Sequence, residues 1–121
     1  MNSARAQRVF KVTARTAWED ACRRGAFAGS ADDRRDGFIH LSQDHQLAGT
    51  LVRHFRGEHD LVLVELDAAA LGSALRWEPS RGGDLFPHLY GELPAAAAVS
   101  VRALVLDAEG VPILPEDICQ C

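Results

Sequence analysis

Leu61-Val62-Leu63-Val64-Glu65-Leu66 is a near-continuous apolar run, the pattern of a strand covered on both faces and therefore central in its sheet. Working outward from it, residues 68–72 make a turn, and Leu75 to Glu78 reads as a strand entering a glycine loop. Val99 to Leu106 alternates as a long late strand, with Val99, Val101, Ala103 and Val105 set against Ser100, Arg102, Leu104 and Leu106. Asp107-Ala108-Glu109-Gly110 turns the chain. Residues 111–121 open with Val111-Pro112-Ile113-Leu114-Pro115, too rich in proline for an inner strand, and are expected to pack along an edge.

Upstream of the run, Arg8 to Ala14 reads as a strand with Val9, Phe10 and Val12 as its apolar members. Thr16-Ala17-Trp18-Glu19 has the form of a capping box, which starts a helix that buries Trp18, Ala21 and Cys22 and stops near Gly25. Residues 26–37 show no apolar periodicity and read as a polar loop leading into Phe38-Ile39-His40-Leu41. Ser42 can cap a second helix from Gln43 to Phe55, whose stripe is Leu47, Leu51 and Phe55. Two early helices followed by mostly antiparallel strands predict an α+β fold in a single domain, 1–121.

The bulk properties narrow the function. The 121 residues are 47% hydrophobic and 25% charged, a composition that supports one self-standing core. A net charge of -4 gives no basic face for DNA or RNA, so a nucleic-acid partner is not expected. Twelve of the thirteen basic residues are arginines, a bias that carries information only where its neighbours add some. No membrane-length apolar run or signal core occurs, and the odd cysteine set of Cys22, Cys119 and Cys121 fits a reducing compartment. A cytoplasmic location is expected, and Cys119-x-Cys121 reads as an ordinary tail rather than a metal clip.

Chemistry concentrates in two stretches, Asp36-Gly37-Phe38-Ile39-His40-Leu41-Ser42 and Trp77-Glu78-Pro79-Ser80-Arg81-Gly82-Gly83 with Phe86-Pro87-His88-Leu89-Tyr90-Gly91. His40 precedes a helix start, where its ring can face a cleft or else be a satisfied core histidine. Arg81 with Gly82 and Gly83 can cradle a phosphate or carboxylate, though the pattern matches no Walker or dinucleotide loop. Glu78 is a candidate base or ribose ligand, or the partner of Arg81 in a structural ion pair. His88 and Tyr90, two apart, share a face if the segment is extended, and together can hydrogen-bond and stack on a ligand. Trp77 reads as a core residue. His45, His54 and His59 have structural readings, no zinc spacing appears, and Ser42 and Ser80 sit in no nucleophile elbow.

Taken together with Trp18 and its helix, these stretches resemble domain-of-unknown-function family 952, a group of small bacterial proteins, from about Val9 to about Leu106. That family is grouped by fold with the ADP-ribosyltransferases. The resemblance implies a split, mostly antiparallel sheet whose cleft takes NAD as substrate, with His40 against the nicotinamide-side ribose and His88 or Tyr90 beneath the nicotinamide. Glu78 fits the family motif better than Glu92 but lies earlier than a terminal catalytic glutamate should. The implied function is therefore either ribosyl transfer or hydrolysis in a nucleotide cleft, with His40 and Glu78 catalytic and His40, Ser42, Arg81, Gly82, Gly83, His88 and Tyr90 binding, or a noncatalytic module that binds a small molecule or anion.

Overall fold

In the computed structural model, which describes residues 7–118 apart from the side chain of Arg81, eight strands and four helices follow the chain. The strands are β1 (Arg8–Ala14), β2 (Ala26–Phe27), β3 (Ile39–His40), β4 (Leu61–Asp67), β5 (Leu75–Pro79), β6 (Leu85–Leu89), β7 (Leu93–Pro94) and β8 (Ala98–Leu104). The helices are α1 (Arg15–Arg24), α2 (Ala31–Asp36), α3 (Leu47–His54) and α4 (Ala68–Leu71). All pairings are antiparallel, in sheets ordered β1-β4-β8, β3-β6-β5 and β2-β7. The fold is α+β.

The apolar run is the middle strand of its sheet because both of its faces are covered. Val62, Val64 and Leu66 join Val9, Trp18, Ala21, Phe27 and Leu93 on one side. Leu61 and Leu63 join Phe10, Val12, Leu47, Leu51 and Leu104 on the other. Each such aliphatic side chain contributes about 1.5–3 kcal/mol relative to leaving it exposed. The two larger sheets touch at one bridge, where Phe10 N donates to Ser42 O at 2.8 Å and Ser42 N donates to Phe10 O at 2.9 Å. Beside that joint the candidate site forms.

Several local expectations are corrected. Helix α1 starts at Arg15 directly after β1, capped by Ala14 with no side-chain bond. Arg15 secures this start instead, through Glu19 at 2.9 Å and Asp60 at 2.8 Å. Cys22 is exposed, since α1 turns Trp18 and Ala21 inward. The expected polar loop holds β2 and α2; α2 has no apolar stripe because the residue it buries is Asp33. The second long helix is a 3₁₀ turn, Asp44–Gln46, followed by α3, and Gln43 and Gln46 cap it reciprocally. Ser42 is committed elsewhere, its backbone to Phe10 and its hydroxyl to Thr50 Oγ1 at 2.9 Å.

Strand β8 ends at Leu104, and the chain after it folds back on itself through a bridge from Leu106 to Pro112 and a bond from Ile113 N to Val105 O, with Val111, Leu114 and Ile118 packed on the core. Trp77 is half-buried against the core. Cys119 and Cys121 fall outside the described residues.

Candidate functional site

Strand β1 carries Lys11 inward between Phe10 and Val12, and a buried ammonium requires a counter-charge. Asp33 supplies it: Lys11 Nζ donates to Oδ2 at 2.8 Å and Oδ1 at 3.2 Å, and also to the His40 carbonyl at 3.1 Å. Only 2% exposed, Asp33 is the hub of the site. It also accepts from Ser30 N at 2.9 Å, closing the capping box of α2, and from His40 N at 3.0 Å. Burial alone would raise this carboxyl, yet the His40 ring, Lys11 and the Ser30 amide together hold it well below the usual carboxylate range.

The His40 ring lies between two carboxylates, with Nδ1 2.7 Å from Asp33 Oδ1 and Nε2 2.9 Å from Asp36 Oδ2. Directly across the β3–β6 register stands His88, its ring centroid 5.7 Å from that of His40. Phe38 packs on both, 4.0 Å from His88 in a near-parallel stack and 4.6 Å from His40. Behind His88, Glu78 Oε1 lies 2.7 Å from Nδ1 and accepts from the Tyr90 hydroxyl at 2.8 Å. The His88 contact, then the Tyr90 bond, lower the Glu78 carboxyl; that same bond raises the Tyr90 phenol, over which Arg76 sits at 4.8 Å.

A cavity of about 260 Å³ opens between the middle of β1, α2, α3 and β6, with Ser80 ahead of the glycine turn at its rim. Lys11, Asp33, Asp36, His40, Ser42 and His88 line it, with Ser80 and Thr50 at its polar wall and Phe10 and Phe86 at its apolar one. Carboxylate partners fix the plane and tautomer of an imidazole, so two oriented histidines and several hydroxyls face one small volume. Such a surface can hydrogen-bond a polyhydroxylated or anionic ligand and move a proton on it.

Of the residues read from sequence, His40, Ser42 and His88 are brought together at this cavity. Glu78 and Tyr90 reach it only through His88. Arg81, Gly82 and Gly83 form a 3₁₀ turn in which both glycines take left-handed φ, 69° and 81°; Ser80 at its start lines the cavity, and the Arg81 side chain lies outside the description. The side-chain bonds of Glu78 go to His88 and Tyr90. His54 also lines the cavity, and His45 sits 3.2 Å from Asp84.

Sequence reasoning missed Lys11, Asp33 and Phe38 as site residues. Two signals were present: a single lysine inside an apolar strand, and Ser30-x-x-Asp33 ahead of Gly37, the form of a short capped helix. Among the described residues no His, Cys, Asp and Glu cluster could hold a metal ion, and no helix is long and apolar enough to cross a membrane.

A family profile described as "Protein of unknown function (DUF952)" matches residues 12–101. The chain belongs to this family. Among solved structures, DUF952 topology recurs in the crystal structure of protein CC0527 from Caulobacter crescentus, which is 45% identical over 88% of this chain and 93% of that one, with a TM-score of 0.86. The solution NMR structure of CC0527 is 46% identical over 87% and 90%, with a TM-score of 0.78. No curated protein matches the chain.

Proposed function

We propose that this DUF952 domain has an ADP-ribosyltransferase-like fold and that its cavity binds a nucleotide-type small molecule. One observation carries the ligand reading: His40 and His88, from segments far apart in sequence, face each other across β3 and β6 on the same 260 Å³ cavity. The fold reading draws on two three-stranded antiparallel sheets meeting at the Phe10–Ser42 bridge, which is the form of a split sheet.

In this reading His40, Ser42 and His88 orient ribose hydroxyls, Tyr90 and Phe38 support the ring wall, and the turn of Arg81, Gly82 and Gly83 holds the anionic group. NAD is the candidate substrate, and the reaction is transfer or hydrolysis at a ribosyl carbon; of the two residues nominated for chemistry from sequence, His40 stands in the cavity wall and Glu78 stands behind His88. The protein acts on small molecules in the cytoplasm of a bacterium, without nucleic acid or membrane as partner; its net charge of -4 supports the former exclusion.

A second reading is a noncatalytic binding module. It is favoured by Glu78, whose Oε1 is committed to two donors and which does not line the cavity. A thermal-shift screen against NAD, ADP-ribose, mononucleotides and inorganic phosphate tests both readings. Stabilisation by a nucleotide that His40→Ala removes supports the site, and nicotinamide release from NAD separates enzyme from module. No stabilisation by any nucleotide rejects the ligand reading.

A further inference from the structure

We infer that His88 is the proton-transfer group of the cavity, and that Glu78 and Tyr90 are positioning residues acting through it. This rests on the cavity being a ligand site and assigns the chemistry within it to a residue other than His40.

The two histidines differ in what their nitrogens meet. Both nitrogens of His40 already face carboxylates, Nδ1 paired with Asp33 at 2.7 Å and Nε2 2.9 Å from Asp36, so that both are turned to protein groups. His88 is engaged at Nδ1 alone, by Glu78 at 2.7 Å, and Nε2 has no hydrogen-bond partner among the described residues. A neutral ring that donates Nδ1–H to Glu78 carries its lone pair on Nε2, and this ring lines the cavity. The plane is fixed from two sides, by the near-parallel Phe38 ring at 4.0 Å and by Glu78, itself anchored by the Tyr90 hydroxyl at 2.8 Å.

The step is a proton transfer. The Nε2 lone pair takes the proton of a hydroxyl or water held in the cavity; that O–H bond breaks, an N–H bond forms, and the oxygen keeps the electron pair as nucleophile. The imidazolium charge faces the Glu78 carboxylate; the oxygen's electron pair forms the new bond to the ribosyl carbon as the bond from that carbon to the nicotinamide nitrogen breaks, nicotinamide leaves as a neutral base, and the proton on Nε2 passes to water, restoring the neutral ring. His40, held between Asp33 and Asp36, ties the cavity wall to α2.

The test begins on the ligand-free full chain labelled with ¹⁵N, by long-range proton–nitrogen correlation of the histidine rings. The neutral His88 ring is expected as the Nδ1–H tautomer in the parent and in Tyr90→Phe, with the Nε2–H form gaining population in Glu78→Leu. An Nε2–H tautomer in the parent overturns the inference. Should Glu78→Leu fail to fold, carbethoxylation of the parent by diethyl pyrocarbonate gives a second readout: His88 reacts roughly tenfold or more faster than His40, and an equal or reversed order overturns the assignment. Adding ADP-ribose separates the two levels. Binding that leaves the His88 Nε2 resonance unmoved overturns His88 as the acting group, whereas an intact Nδ1–H tautomer with no binding by any nucleotide overturns the ligand reading beneath it.

Discussion

Replacing Asp33 with alanine removes the acceptor from four donors at once: Lys11 Nζ, the Ser30 amide, and the amide and Nδ1 of His40. The dominant cost is the Lys11 ammonium, 5% exposed and left without its counter-charge. Breaking a buried ion pair from one side costs about 3–5 kcal/mol, and the surviving ammonium keeps only the neutral His40 carbonyl at 3.1 Å among the partners it had. Loss of the α2 cap adds about 1 kcal/mol. A total of about 4–6 kcal/mol is a large part of the roughly 5–15 kcal/mol that holds a domain of this size. With a urea slope of about 1–3 kcal/mol per molar, the unfolding midpoint of Asp33→Ala falls by about 1.3 M or more. The double variant Lys11→Met, Asp33→Ala removes the orphaned charge and recovers part of that loss. A midpoint shift in Asp33→Ala of under about 0.5 M, or a double variant no more stable than the single, refutes the buried pair as the anchor of the site.

Since the Asp33 carboxyl is held below its ordinary value in the fold, its contribution is complete above the unfolded titration near about pH 4 and is lost as pH falls below that. Between pH 6 and 3 the urea midpoint of the parent therefore falls more steeply than that of Asp33→Asn; equal slopes contradict this. Tyr90 is the sole tyrosine, so ultraviolet titration reads it alone: its midpoint lies above 10.0 in the parent and returns toward that value in Glu78→Gln. Gly25 and Gly29 both take left-handed φ, 94° and 113°, but a Cβ meets nothing within 4 Å at Gly25 and lies 2.9 Å from Asp33 Cβ at Gly29. Gly25→Ala is expected to cost about 1–2 kcal/mol by backbone strain, and Gly29→Ala measurably more in the same denaturation assay.

The strands were legible where hydrophobicity alone decides them. Leu61 to Leu66 announces a strand with two dry faces, and β4 has them. Helix α2 was illegible for the opposite reason: its inward residue is charged, so apolar periodicity says nothing, and only Ser30, Asp33 and Gly37 mark its ends. Ser42 looked like a cap because serine before a helix usually is one, but the Phe10 bridge and Thr50 claim its groups first. At the site, residue types could be read and partners could not. His40 and His88 stand opposite each other through strand register, and Lys11 finds Asp33 through tertiary packing, neither of which local sequence encodes. The shared face of His88 and Tyr90 was legible, from side chains two apart in an extended segment; that both meet Glu78 was not, because it comes from the pairing of β5 with β6.

The most direct measurement is a backbone and histidine-ring NMR titration of the full chain with ADP-ribose. Shifts concentrated at Phe38, His40, Ser42, Ser80 and His88, and abolished in His40→Ala while the fold is retained, are the predicted result. Shifts confined to other faces of the domain, or none at millimolar ligand, contradict a nucleotide site between the two facing histidines.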